Sequence, residues 1–175
     1  MAVALLMIRI VVAGSVALHG IQKFTAKLQG HGVAEMREMC GNLGLRPVKF
    51  FAFMAGASEL VGGLMVVVGF ATPFGAAAVI GMMATAVLVI HLKNGYFTVH
   101  GGFEYPFVLG VCTAAIALIG AGRYSVDNAI GWHLAGWKWF AFSVVVGLAG
   151  ALATWARATA SHRAAATATP AAPAA

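Results

Sequence analysis

Arg9, His19, Lys23, Glu59, His91, His100 and Glu104 are the side chains that could do acid–base or ion-pair chemistry in a chain that is 61% hydrophobic and only 9% charged. An ionised group in so apolar a setting is costly unless a partner or a proton compensates it. Arg9 lies within the first apolar run and Glu59 near the middle of the second. Counted from the segment that connects them at about 1.5 Å per residue, Arg9 sits ~22 Å deep and Glu59 ~16 Å, a gap the long arginine side chain can close. An Arg9–Glu59 pair inside the bundle is therefore expected. At about 100° per residue, Arg9, His19 and Lys23 share an arc of roughly 80° on one helix face, and Ala55, Gly56, Gly62 and Gly63 lie within about 60° of Glu59. Small residues there let a neighbouring backbone approach closely. The same set also has a structural reading, with a register-fixing ion pair, ordinary helix-packing glycines, and His19 and Lys23 reaching toward the interface.

The elements that must hold these residues are membrane-spanning. The chain has 175 residues with a mean hydropathy of +0.90, and its unbroken apolar runs approach bilayer-spanning length. Five spans are expected, over residues 3–24, 48–70, 74–92, 105–121 and 137–156. The fold class is all-α: a polytopic membrane helix bundle with a four-helix core over residues 1–130, a fifth C-terminal transmembrane helix within 131–158, and a disordered Ala/Pro/Thr tail over 159–175. The first run has no basic stretch before it and "VALHGIQKF" lacks a small-residue cleavage pattern, so an uncleaved first helix is expected. Gly69 and Pro73 in "GFATPFG" enforce a tight return between the second and third spans.

Charge orients the bundle. Lys23, Lys27, Arg37, Arg46, Lys49, Lys93, Arg157 and Arg163 fall on one face, against Arg123 and Lys138 on the other. The positive-inside bias then places the first loop and the C-terminus in the cytoplasm, with the plasma membrane as the site of residence. The formal charge of +6 suits lipid headgroups rather than nucleic acid, because the basic residues flank hydrophobic segments.

The stretch "HLKNGYFTVHGGFEYPF", residues 91–107, joins the third and fourth spans and is longer and more apolar than a solvated turn requires. His91 is expected to end the third helix, Gly95, Gly101 and Gly102 to permit the backbone turns, and Glu104 with Pro106 to begin the fourth. At that helix start Glu104 can stay ionised and hold His91, His19 or Lys23, which would make the stretch the second wall of a polar site. The alternative is an interfacial loop with Glu104 serving only as a helix-start charge.

The pieces Arg9, "HGIQK", "AGASELVGGLMVVVGFATPFGA", "HLKNGYF", "GGFEYPF" and "GRYSVDN", in this order over about residues 5–130, resemble the DoxX family of small integral membrane proteins. The resemblance implies a four-helix membrane bundle linked to quinone-dependent oxidation, with relatives associated with sulfur-compound and oxidative-stress metabolism. It also implies that Arg9, His19, Lys23, Glu59, His91, Gly101, Gly102 and Glu104 belong to one polar motif, without assigning chemical roles. The fifth span departs from the pattern and is expected to dock a partner or to anchor the tail.

Other chemistries find less support. There is no HxxxH, ExxH or CxxC, so no metal is expected. Bis-histidine haem would need opposed mid-helix histidines, and Gly-rich phosphate loops and nucleophile elbows are missing from the sequence. Cys40 falls in the first loop and Cys112 inside the fourth span, so a bond between them is not expected, and Cys40 is read as a bystander before a reactive loop thiol. A quinone or similar amphiphile fits the inventory better: its ring takes an apolar slot and a few groups that exchange protons at its oxygens, as His and Glu near an interface do. Tyr96, Phe97, Phe103, Tyr105 and Phe107 form either that slot or an interfacial aromatic belt. With no flavin, haem or iron–sulfur motif, electrons would come from a redox protein partner, which makes the chain a membrane subunit or anchor. Membrane lipid and a second copy of the chain are the other expected partners. A small-solute or proton carrier and a non-catalytic scaffold or assembly factor are the rival classes.

Overall fold

In the computed structural model, which describes residues 1–25, 30 and 32–168, the chain folds into helices with no strand among the described residues. Lys27, counted above in the charge bias, and residues 169–175 of the expected tail lie outside the described residues. The first helix, α1 (Ala2–Phe24), runs the full length of the first apolar stretch. The segment read as a basic loop contains α2 (Gly32–Asn42), a short amphipathic helix that buries Met36 and Cys40 and exposes Arg37 and Glu38. Its apolar positions at i and i+4 are what a single buried face needs.

α3 (Val48–Val68) ends at Gly69, whose φ of 68° supplies the left-handed cap. α4 (Thr72–Thr85) follows at once with Pro73 in its first turn, as the punctuation predicts. It continues through a π turn (Ala86–His91) and a 3-10 turn (Leu92–Asn94), so that one apolar rod covers Thr72–Asn94. α5 (Glu104–Ile119), α6 (Val126–Ala129) and α7 (Trp137–Ala168) complete the chain.

Four of these rods, Ala2–Phe24, Val48–Val68, Thr72–Asn94 and Trp137–Ala165, are long and apolar enough to cross a membrane. The protein is a polytopic bundle. α5, the fourth expected span, has 16 residues, or ~24 Å of helix, and falls short of a full bilayer core. α7 runs past residue 156 to Ala168, so the first part of the expected disordered tail is helical. Alanine is the best helix former, and a stretch from 156 to 168 rich in it extends a helix already nucleated in the apolar run.

α1 packs most extensively on α3, and α7 on α4. Gly63 lets the first pair close up: a Cβ there would stand 2.8 Å from both Ala13 O and Ala17 N. On the other side of α3, a Cβ at Gly62 would meet Gly75 O of α4 at 3.1 Å. Thus the glycines flanking Glu59 serve two neighbours, and Val66, Ala76, Val16 and Val79 fill the core between them.

Candidate functional site

The register between α1 and α3 decides which charges meet. Gly56 lies against the Phe24 ring at the end of α1, so α3 begins eight residues, ~12 Å of helix, below that end. Glu59 is consequently level with the last turn of α1 and not with its middle. Its carboxylate forms an ion pair with Lys23 Nζ, and both side chains are largely shielded from solvent. The expected Arg9–Glu59 pair does not form, because the depth count placed the two helix ends in one plane.

Arg9 sits at the opposite end of the bundle. Its Nε donates to Val66 O at 2.9 Å, Nη2 to Val67 O at 2.6 Å, and Nη1 to Ala121 O at 2.5 Å and Tyr124 O at 2.9 Å. The guanidinium thus ties the C-terminal turn of α3, whose carbonyls are left over by the helix, to the loop after α5. The side chain is fully buried. Asp127 completes this end: its carboxylate accepts from Ala71 N at 2.7 Å, Thr72 N at 3.1 Å and Thr72 Oγ1 at 2.8 Å, capping α4 from a remote segment. Arg9 is a structural clamp, set apart from the remaining polar residues.

Near the other end, His19 Nδ1 stands 3.1 Å from Gln22 Oε1, and Nε2 stands 3.2 Å from the Tyr105 hydroxyl at the start of α5. With the amide oxygen as acceptor, Nδ1 of the neutral ring donates, and Nε2 accepts from Tyr105. His91 closes the π turn and donates from Nδ1 to Gly101 O at 2.7 Å, which leaves its Nε2 free to accept. His19, Lys23, Glu59, His91 and Tyr105 all line one cavity of about 890 Å³, within the size range of sites for small organic ligands. Its other walls are apolar and rich in flexible sulfur side chains, among them Met36, Met54, Met82 and Met83. Glu59 Oε2 is buried there without a hydrogen-bond partner among the described residues.

The 91–107 connection is folded as a unit but does not supply the wall expected of it. Glu104 Oε2 accepts from Thr98 N at 3.1 Å, and Glu104 N donates to Tyr96 O at 2.8 Å. Glu104 therefore braces its own loop and holds none of His91, His19 or Lys23. Gly101 has φ of 75°, and the buried Gly102 packs where a Cβ would strike Tyr96 O, so both are turn residues. Neither glycine lines the cavity, nor does His100, which is exposed. Tyr96 packs edge-on against Phe97 and Phe103, and Phe103 against Phe107, on the surface. Of the proposed aromatic slot, only Tyr105 reaches the cavity.

Tyr105 as the partner of His19, and Gln22 beside it, escaped the sequence reading as hydrogen-bonding groups. Gln22 had a local signal, standing three residues after His19 on the same face. Cys40 lines the cavity from α2, where burial pushes its thiol above the ordinary value and Lys23 draws it back by less. Cys40 and Cys112 are both free thiols. Among the described residues, no group of three or more His, Cys, Asp or Glu side chains stands close enough to hold a metal ion.

Residues 4–92 match the family model described as DoxX. The match runs from α1 to the end of the π turn and carries Arg9, His19, Lys23, Glu59 and His91, while "GGFEYPF" and "GRYSVDN" lie beyond it. No curated protein and no solved structure matches the chain.

Proposed function

The chain belongs to the DoxX family of integral membrane proteins, and from that premise we propose that it binds a quinone or similar amphiphile as the membrane subunit or anchor of a quinone- or sulfur-linked redox or oxidative-stress system. The observation that carries this reading is the cavity in which Lys23–Glu59 and His19–Tyr105 face apolar, methionine-rich walls. The donor set suits such a ligand. Lys23 can donate to a ring carbonyl, whereas His91 Nε2, Glu59 and the Tyr105 oxygen, whose proton goes to His19, can accept from a ring hydroxyl. A bound quinone would supply two-electron, two-proton chemistry. The chain's own residues bind and orient the ring and exchange protons at its oxygens, and the apolar walls exclude water.

Electrons then come from a partner protein, since the sequence carries no motif for a redox group of its own. The charge bias supports a cytoplasmic location, in a plasma-membrane protein, for the partner's side of the bundle with α2 and the end of α7. Membrane lipid covers the exposed apolar rods, and a second copy of the chain is a further candidate neighbour. Mild detergent extraction of the full chain, followed by identification of co-purifying lipophilic molecules and proteins, tests the reading. A redox-active amphiphile at about one per chain that is lost from the Lys23→Met, Glu59→Leu variant is expected. Recovery of phospholipid alone, with no redox protein, would overturn it.

A further inference from the structure

We infer that the cavity is filled sideways from the bilayer, through the seam between α3 and α7, by an amphiphile with an apolar tail and a hydrogen-bond-donating head whose hydroxyl meets the Glu59 carboxylate. This inference rests on the ligand-binding reading above and adds to it the route and the head-group chemistry.

The seam lies on the side of α7 that faces α3; the other side stays packed along the helix, with Ala151 fully buried. Toward its start, Ser143 Oγ donates to Pro73 O at 2.9 Å, and a Cβ at Gly147 would meet Ala77 O and Gly81 N of α4 at 2.9 Å. Toward its end, Ala158 packs with Met36, Cys40, Leu45 and Ala52, and Arg157 donates to Arg46 O at 3.1 Å. Between these anchors lies Gly150, which lines the cavity and has no atom of the described residues within 4 Å of where a Cβ would stand. Phe50 and Met54 of α3 and Val146 of α7 both line the cavity and are exposed on the apolar outer surface, at 55%, 41% and 48%. The cavity therefore opens where lipid lies. A second hollow of about 500 Å³ continues the seam along Pro47, Ala153 and Arg157, sharing Phe50, Phe51 and Thr154 with the first.

The wall toward α2 argues against entry of a water-borne ligand on that side. There the cluster of Met36, Cys40, Leu45, Ala52 and Ala158 presents buried apolar side chains. A solute crossing there would shed its hydration against groups that cannot replace it. Through the seam, a tail passes Phe50, Phe51, Met54 and Val146, with Thr154 and Arg157 as the polar groups beside it. At the inner end, Glu59 Oε2 is an acceptor without a donor among the described residues, and Lys23 already serves the carboxylate. A head bearing only carbonyl oxygens leaves that group unsatisfied, whereas a hydroxyl satisfies it.

The test uses the full chain in phosphatidylcholine vesicles and an alkyl hydroquinone with a diazirine at the end of its tail, kept reduced. Photolabelling is expected on the seam, around Phe50, Met54 and Thr154. Unlabelled alkyl hydroquinone should compete about tenfold better than its dimethyl ether, and Glu59→Leu should abolish that preference. Gly150→Trp should cut labelling about tenfold while helix content and melting temperature hold; Ala153→Trp plugs the same lip should the first variant fold poorly. Saturable labelling undiminished by either plug overturns the doorway and leaves the binding reading standing. Equal competition by hydroquinone and dimethyl ether overturns the donor requirement. Labelling that no competitor reduces removes this inference and the binding reading together.

Discussion

Lys23 and Glu59 are paired across the α1–α3 interface in a way that leaves one carboxylate oxygen of Glu59 buried and without a partner among the described residues. Removing the lysine alone leaves a shielded charge without its counter-charge. Lys23→Met should therefore cost about 3–5 kcal/mol, while Lys23→Met, Glu59→Leu together should recover most of it. Melting temperatures in one detergent make the comparison, and equal losses in both variants would show that charge pairing is not the cause.

Arg9 and Glu59 should prove energetically independent. Their anchoring points on α3, Val66 and Glu59, are seven residues or ~10 Å of helix apart, and Arg9 spends its donors on four carbonyls. Arg9→Met should lose on the order of 3 kcal/mol or more through the carbonyls it abandons, with little recovery in Arg9→Lys because an ammonium lacks the planar fork. The Arg9→Met, Glu59→Leu double variant should be additive within about 0.5 kcal/mol. A coupling well above that would restore the direct pairing.

Asp127 holds the start of α4 from 55 residues away along the chain. Asp127→Ala removes three hydrogen bonds at a buried helix start, for an expected loss of about 2 kcal/mol or more. Hydrogen exchange should rise first at Ala71 and Thr72. Protection unchanged there would mean that water or a neighbour replaces the cap.

Cys40 should react slowly with alkylating agents at neutral pH, since burial favours its protonated form. The sign for stability follows: in the unfolded chain the thiol loses its proton first, so the native state binds more protons, and stability falls as pH rises beyond the ordinary thiol value. Denaturation midpoints across that range should drop less in Cys40→Ala than in the parent. The same slope in both chains would assign the effect to another group.

Much of the architecture was legible in the residues. Gly69 and Pro73 marked the α3–α4 return because only a left-handed cap and a fixed φ fit there. The glycines at 62 and 63 announced close packing around Glu59, and Gly95 and Gly101 marked turns that do adopt positive φ. By contrast, α2 passed as a loop because its 11 residues intersperse Glu35, Arg37 and Glu38 among short apolar pieces, and its helix depends on burying Met36 and Cys40 against Ala52 and Ala158. The helical end of α7 was hidden by the low complexity of its alanines.

By itself, the sequence determined the membrane class, the position of the turns and the residues whose burial needs a partner, because hydropathy, backbone restriction and desolvation act locally. Which partners they find was decided only by the tertiary structure. Angular position on a helix wheel puts Arg9, His19 and Lys23 on one face, yet the axial offset of α3 against α1 sends Glu59 to Lys23 and Arg9 to the carbonyls of Val66 and Val67. That offset is set by the packing of Gly56 on Phe24 and of Gly63 on Ala13 and Ala17. Close contact between two helices fixes their register, and neither helix alone carries that information.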